Sequence, residues 1–375
     1  MHVLVDGLSA TSYSGRHVLL GHLEQLAAGA AGRHEFFVLY HSSNAELRRL
    51  NAPNVHWLAV PESVRDWKRR LLWQAVSLNR VIRETRAHLI FNPAGTVFPS
   101  SSVPQVSLAQ NPWCLTPSLH QSLRDRGKAF LQRRAYRHAV SRAALMAYNS
   151  EFMRQAYRRN AGGIQEHDSL IAYQGLDDET HDAALRMRDQ VKKQRLRILA
   201  VSVMAPWKNV ESLLEALRIV RGRKIPAKLN IVGPWSDPAY ERRIRQKVSE
   251  LDLDESVCIT GRVPREELYR QYSEAAVFCL LSRCESFGIP ALEAQLFGAP
   301  AVISDACAMP EICGAGALGV PADDVERAAG ALVELLDDER RWNELSERAV
   351  ENASRFRWPE CSRPLLRMFD LVKGD

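Results

Sequence analysis

The sequence predicts an α/β protein built from two doubly wound, Rossmann-like domains. Three observations predict it. Short Val- and Ile-rich apolar runs alternate with longer amphipathic stretches along the chain, the pattern of parallel strands covered by helices. A polar interval without an apolar run, residues 177–195, separates two sets of such runs. The 375 residues, 46% of them hydrophobic, suffice for two cores of ordinary size.

In the first set, strands are predicted at 2–6, 35–40, 55–59, 88–91, 105–109, 144–147 and 169–172. In the second they are predicted at 197–202, 228–232, 256–259, 277–280, 301–303 and 318–320. The boundary is expected inside 177–195, giving an N-terminal domain over 1–180 and a second over 181–356. A last helix, 360–372 within the terminal segment 357–375, follows the breaker Trp358-Pro359 and can pack on either domain.

Composition excludes several classes. No apolar run approaches the roughly 20 residues needed to cross a bilayer. Met1 to Asp6 reads as a buried strand with no basic or apolar leader ahead of it, so no export signal is expected. Seven cysteines, at 114, 258, 279, 284, 307, 313 and 361, form no CxxC pair and are odd in number, which argues against a disulfide framework and a zinc knuckle and for a reducing cytoplasm.

The net charge of +6 is unevenly spread. Residues 1–195 hold 26 Lys and Arg against 16 Asp and Glu, whereas 196–375 hold 24 against 28. Residues 112–160 carry ten basic side chains against Asp125 and Glu151, and a second cluster, Arg65 to Arg70, contains Trp67 and runs into Leu71-Leu72-Trp73. Such helices suit an anionic membrane surface or anionic substrate, although a solvated helix face is an equal reading. Nucleic acid is not expected as a partner, because no recognition motif accompanies the charge.

Two familiar patterns fail on context. Gly314-Ala315-Gly316-Ala317-Leu318-Gly319 spells GxGxxG, but it follows a short helical piece, 309–313, and runs into Val320-Pro321 instead of opening a helix after a strand. Asp252-Leu253-Asp254 spells DxD at the end of a basic amphipathic stretch, where a solvated helix terminus is the better reading, and no metal site is expected.

The strongest constellation is 281–302, LSRCESFGIPALEAQLFGAPAV. A strand end is followed by a Gly-containing loop and a Pro-started helix. Pro290 suits the first helical position, where its missing N–H costs nothing. The amides of Phe287, Gly288 and Ile289 are then expected to face outward beside a positive helix dipole at a strand's carboxyl end, an anion-binding arrangement. Glu285 before the loop and Glu293 in the helix's first turn are expected to reach one ligand, which fits a molecule with both phosphates and hydroxyls.

This segment resembles the E-x7-E signature of retaining GT-B-fold glycosyltransferases of family 4, group 1. Other pieces resemble the family in order across nearly the whole chain. Ser202 to Asn209 resembles its phosphate-binding strand exit, with Lys208 as the cation. Ile231-Val232-Gly233 and Gly261-Arg262-Val263 resemble strand ends flanking the nucleotide base, and Pro310-Glu311 with Gly314 resembles PE-x-x-G. Ser14-Gly15-Arg16 resembles the loop beside the donor phosphates. Gln174-Gly175-Leu176-Asp177 resembles the NGVD-type exit, and Phe356-Arg357-Trp358 resembles the FSW that precedes a terminal helix crossing back to the first domain.

The resemblance implies two Rossmann-like domains facing a cleft, and a metal-independent hexosyl transfer with retention from a nucleoside-diphosphate sugar, a GDP- or UDP-sugar being expected, to a hydroxyl acceptor. No cofactor is implied. Lys208 and Glu285 would be catalytic. Gly15, Arg16, Lys208, Gly233, Arg262, Ser286, Phe287, Gly288, Ile289 and Glu293 would bind the donor. Gln110, Asn111 and His120 would lie on the acceptor side. Surface polysaccharide, lipopolysaccharide or glycolipid assembly is the implied setting, with a saccharide or lipid-linked saccharide acceptor. The expected location is the cytoplasm, with peripheral attachment at the inner face of the cytoplasmic membrane.

The chain departs from the family at three places. Val203 stands where many members carry a second phosphate-binding Arg, which leaves Arg262, Arg16 or Arg283 to replace it. Gln110-Asn111 replaces a His-Asp pair and cannot accept a proton at neutral pH. Ser286 replaces a Gly. A sugar-nucleotide epimerase or hydrolase and a catalytically inactive nucleotide-sugar-binding protein are the alternative readings.

Overall fold

The Val- and Ile-rich runs form two all-parallel sheets, in a computed structural model that describes residues 1–30, 32–120 and 122–371. The chain divides into two units, one of Met1–Gly175 together with the chain from Trp358 onward, the other of Leu176–Arg357.

The first unit contains β1 (His2–Asp6), α1 (Tyr13–Gly29), β2 (Glu35–Tyr40), β3 (Val55–Ala59), α2 (Trp67–Thr85), β4 (Leu89–Asn92), β5 (Gln105–Ala109), α3 (Leu123–Arg142), β6 (Leu145–Tyr148), α4 (Glu151–Ala161) and β7 (Ser169–Ile171). Its strands are ordered β3-β2-β1-β4-β5-β6-β7. Helix starts are set by capping side chains. Asp66 Oδ1 accepts the amides of Lys68 and Arg69 at 3.1 and 3.0 Å to start α2, and Ser122 with Asp125 forms a capping box on α3. Gln74, Leu78, Ile82 and Thr85 of α2 are buried at helical spacing, which leaves Trp67, Leu71, Leu72 and Val76 on its exposed side.

The second unit contains α5 (Asp178–Gln190), β8 (Gln194–Val201), α6 (Val210–Gly222), β9 (Lys228–Val232), α7 (Pro238–Glu250), β10 (Val257–Gly261), α8 (Arg265–Glu274), β11 (Ala275–Leu280), α9 (Ile289–Leu296), β12 (Ala301–Ser304), α10 (Met309–Cys313), β13 (Ala317–Val320), α11 (Val325–Asp337) and α12 (Glu339–Ser354). The order is β10-β9-β8-β11-β12-β13. The polar interval 177–195 is helix α5 of this unit, running into β8, and the change of unit falls ahead of it at Gly175/Leu176. Its polarity reflects a one-sided helix, with Thr180, His181, Ala183 and Ala184 buried.

After Arg357 the chain forms α13 (Trp358–Ser362) and a 3-10 stretch, Arg363–Asp370, both in the first unit. The single helix expected over 360–372 is thus broken early. Pro364 has no N–H to continue the α ladder, and residues 372–375 lie outside the described residues. Trp358 fits only because Gly21 on α1 has no side chain, since a Cβ there would lie 2.3 Å from its indole. Gly175 is equally constrained, with a Cβ meeting the Trp358 amide nitrogen at 2.5 Å. His22 Nδ1 pairs with Ser362 Oγ at 2.9 Å.

Candidate functional site

In the second unit the chain winds outward from β8 in one direction through β9 and β10, then returns to place β11 on its other side. Ligands of open α/β sheets bind at such a switch point, beyond the carboxyl ends of the strands. Lys208 ends the turn Pro206–Lys208 after β8, and Glu285 lies in the loop after β11. Lys208 Nζ and Glu285 Oε1 form an ion pair, with side chains only 12% and 14% exposed. Each charge satisfies the other in a partly desolvated place, where losing one partner would leave the other costly.

Neighbouring strand exits hold this pair in position. The Arg283 amide and Ser282 Oγ donate to the Trp207 carbonyl at 2.8 and 3.1 Å. The Arg283 guanidinium donates to Asp323 Oδ1 at 2.6 and 2.9 Å and to the Pro206 carbonyl at 3.3 Å. Asn209, in the left-handed region at φ 56°, donates to the Ala322 carbonyl at 2.6 Å. The Ala308 amide donates to the Glu285 carbonyl at 3.3 Å. The loops after β8, β11, β12 and β13 are therefore one hydrogen-bonded body. Arg283, one of three replacements weighed for the missing cation, ties loops together within it.

Gly288 precedes α9 at φ 99°, and a Cβ there would meet Met309 Sδ at 2.6 Å. The positive φ favours a glycine, and the close Met309 side chain leaves little room for any other. Ile289 is the first helical residue and Pro290 the second, one position later than expected. The Phe287 side chain is buried, edge-on to Phe356 with ring centroids 5.8 Å apart, while Ser286 and Ile289 are half-buried.

Glu293 lies in the second turn of α9 and not the first, because the helix already opens at Ile289, one residue ahead of Pro290. Its Oε2 accepts the Tyr272 hydroxyl proton at 2.7 Å, and burial raises its pKa to about 7, opposed by the Tyr272 hydrogen bond and by Arg265 nearby. Arg265 in turn donates to Asp177 Oδ2 at 2.8 Å. The two carboxylates expected to share a ligand therefore have separate partners, Lys208 for Glu285 and Tyr272 for Glu293. Nothing in the spacing of residues 265–293 announced the Tyr272 and Arg265 contacts.

At the neighbouring strand ends, Gly233 sits at φ 131° with its amide 2.7 Å from the Gly261 carbonyl, and a Cβ would lie 1.8 Å from the Ser202 carbonyl oxygen. This forces β8, β9 and β10 to end close together. Arg262 is exposed just past β10, and Val203 is exposed after β8.

In the first unit the expected residues occupy strand exits but have local partners. Gly15 lies in the first turn of α1, its amide donating to Ser12 Oγ at 3.1 Å. Arg16 donates to the Thr11 carbonyl and pairs with Glu46 at 3.1 Å. Gln110 donates to the Pro93 carbonyl at 2.8 Å, and Asn111 Oδ1 accepts the Trp113 amide at 3.0 Å. His120 sits in the loop before α3, not on a helix surface; it is buried against Trp113, whose carbonyl lies 3.0 Å from its Nε2. Sequence reasoning also missed buried Asp6 at the end of β1, where burial raises its pKa and Oδ1 accepts the Leu8 amide at 3.0 Å.

A cavity of about 490 Å³ in the second unit, lined by Arg188, Lys193, Phe297 and Trp342 among others, includes none of the expected site residues. Lys193 is half-buried there, donating to the Tyr272 and Phe297 carbonyls at 3.1 and 2.9 Å.

Residues 183–356 match the family model described as glycosyl transferases group 1. The O-antigen chain mannosyltransferase B of Escherichia coli is 28% identical over 178 residues, 46% of this chain and 45% of that protein. The chain spans about half the length of such relatives. Two solved structures cover 99% of this chain and 99% of their own: sucrose-phosphate synthase from Thermosynechococcus elongatus, at 17% identity and a TM-score of 0.77, and Anabaena HepE in complex with UDP and glucose, at 18% and 0.75. The fold is that of these GT-B glycosyltransferases, two parallel-sheet Rossmann-like domains, as the sequence predicts. No described helix is long and apolar enough to cross a membrane.

Proposed function

We propose that this protein is a retaining glycosyltransferase that moves a sugar from a nucleoside diphosphate to a hydroxyl without a metal ion. One observation carries this reading: Lys208 and Glu285 meet at the switch point of the sheet, beside the start of α9, inside the segment that matches group 1 glycosyltransferases. Cleavage at the anomeric carbon places negative charge on the leaving diphosphate and positive charge on the sugar ring. Lys208 exchanges Glu285 for the diphosphate, and the amides opening α9 add their dipole. Glu285, released from Lys208, lies free to stabilise the sugar. Glu293 keeps one carboxyl oxygen on Tyr272 and offers the other to ribose hydroxyls. Gly233, Ser286, Phe287, Gly288 and Ile289 contribute backbone surface, Arg262 completes the second unit's donor contacts, and Gly15 and Arg16 are the first unit's donor-binding candidates.

On this reading the first unit serves the acceptor, with Gln110, Asn111 and His120 near its strand exits. Surface polysaccharide or glycolipid assembly is the setting we favour, supported by the O-antigen name of the Escherichia coli relative. UDP in HepE makes a UDP-sugar one candidate donor, and a GDP-sugar is the other. The exposed Trp67, Leu71, Leu72 and Val76 of α2, with exposed Lys68 and Arg69 on the same helix, form a face suited to an anionic leaflet; Arg70 turns inward to the Leu8 carbonyl at 3.0 Å.

Calorimetric titration with UDP, GDP, ADP and dTDP and their sugar conjugates, first without metal and then with magnesium, tests the donor site. One nucleotide should bind without metal, and Lys208→Ala should abolish that binding. Binding by none, or equal binding by the variant, refutes it. Co-sedimentation with anionic and neutral vesicles tests the α2 face: negligible pelleting with both removes the membrane part alone.

A further inference from the structure

Cys284 directly precedes Glu285 and is buried. Cys307 lies in the loop after β12, half-buried, with its backbone in the left-handed region at φ 58°. The two thiols are hydrogen-bonded to each other, and the Glu285 amide also donates to the Cys307 sulfur. The Cys307 thiol donates to the Arg283 carbonyl at 3.7 Å, and the next amide, of Ala308, donates to the Glu285 carbonyl at 3.3 Å. Glu285 is thus clasped by one cysteine in its own loop and one in the facing loop. A non-glycine residue at positive φ is strained, and such strain concentrates where a site needs it.

We propose that Cys284 and Cys307 form a redox-active dithiol, oxidised by peroxide, whose disulfide displaces Glu285 and weakens the donor site. Cys284 and the Glu285 amide favour the Cys307 thiolate and, against burial and the Glu285 carboxylate, bring its pKa down to about 7, whereas burial pushes Cys114, Cys313 and Cys361 up to about 12. Cys307 is therefore the attacking thiol. Its electron pair takes one peroxide oxygen, the O–O bond breaks, hydroxide leaves, and Cys307 becomes a sulfenic acid. Cys284 sulfur then attacks the Cys307 sulfur. The S–S bond forms, the S–O bond breaks, and that oxygen leaves as water with the Cys284 proton. In sum two thiols and one peroxide give one disulfide and two waters. Drawing the sulfurs from hydrogen-bonding distance to a bond of about 2 Å pulls the two loops together. It also removes the sulfur from the Glu285 amide.

The chemistry of the pair stands by itself; its effect on sugar-nucleotide binding rests on the function proposed above. The test treats the full chain with stoichiometric hydrogen peroxide, alkylates remaining thiols and maps peptides by mass spectrometry. A cross-linked 284–307 peptide is expected, reversed by dithiothreitol. Cys307→Ser should abolish it, and Cys284→Ser should leave a Cys307 sulfenic acid that dimedone traps. In parallel, affinity for the nucleotide that binds the reduced protein should fall at least tenfold on oxidation and be restored by reduction. Alkylation of both cysteines with no cross-link overturns the dithiol. A cross-link with unchanged affinity overturns its control of the site. If the reduced protein binds no nucleotide, the functional reading fails and the cross-link alone judges the pair.

Discussion

The two units place their candidate residues in the same kind of position, at the carboxyl ends of parallel strands, yet bind them down differently. In the second unit Lys208 and Glu285 are each other's partners, and the loops around them are tied by Arg283, Asn209 and Ala308 across four strand exits. In the first unit the ties stay within one loop or reach a single neighbouring exit: His120 to Trp113 and Arg16 to Thr11 within a loop, Gln110 to Pro93 and Arg16 to Glu46 across one exit. A network across strands preorganises a charge-handling site. Locally satisfied loops leave freedom to vary with whatever surface they meet.

The largest expected effect follows from the buried pair. Lys208→Ala removes the cation that meets the leaving diphosphate and strands Glu285 with less solvation. Loss of one such transition-state contact costs about 100- to 1,000-fold in rate, so turnover should fall by that much in a steady-state assay. Glu285→Ala should slow turnover comparably while changing nucleotide affinity far less. If the two variants instead lose affinity and turnover in parallel, the division of labour within the pair is wrong.

The next effect is structural and belongs to the first unit. Gly21→Ala forces a methyl into the space of the Trp358 indole, and overpacking a core costs about 1–3 kcal/mol. Thermal melting should drop by several degrees, and Trp358 fluorescence should shift as the terminal segment loosens. An unchanged melt would mean that the segment from Trp358 contributes little to that core.

How much of this was legible follows the same contrast. The strand runs are short, apolar and β-branched, so hydrophobic pattern alone placed all but one to within two residues; β8 begins at Gln194, three residues ahead of the expected 197, in a largely polar lead-in. Glu285, Lys208 and Gly288 were legible because a strand exit, a glycine loop and a helix start leave a linear trace. Glu293 was legible as a residue but not as an environment: Tyr272 lies 21 positions away, and its helix turn depended on whether Ile289 or Pro290 opens α9. The approach of Cys284 to Cys307 joins loops 23 residues apart through tertiary packing alone. The break at Pro364 could have been read from sequence, since an interior proline interrupts an α-helix.

Acidity should separate the units in opposite directions. Burial raises Glu293 from 4.5 to about 7 in the second unit, so the native state there holds a proton that the unfolded chain releases above 4.5. Its stability contribution is full below that value and is lost as pH climbs to about 7. Burial lowers His22 from 6.5 to about 3 in the first unit, so its contribution is present above 6.5 and is lost as pH falls toward 3. Amide exchange followed from pH 5 to 7 should show α9 losing protection while α1 gains it. Glu293→Gln should flatten only the first trend; a variant that keeps the full slope in α9 would exclude Glu293 as its source.

The smallest effect probes whether the first unit reaches the donor at all. Arg16 pairs with Glu46, whose side chain is 76% exposed, and an ion pair of that kind is worth at most about 1 kcal/mol. Releasing Arg16 toward a phosphate is therefore cheap, and the contact it would gain is screened by salt. Arg16→Ala should weaken nucleotide binding several-fold at low ionic strength, and by much less in high salt, with no change in melting temperature. Glu46→Ala frees the same guanidinium and should strengthen binding slightly. Opposite signs for these two variants place an Arg16 charge on the donor. Indifference in both assigns the whole donor charge to the second unit, with Lys208 and the start of α9 left to compensate for the missing cation at Val203.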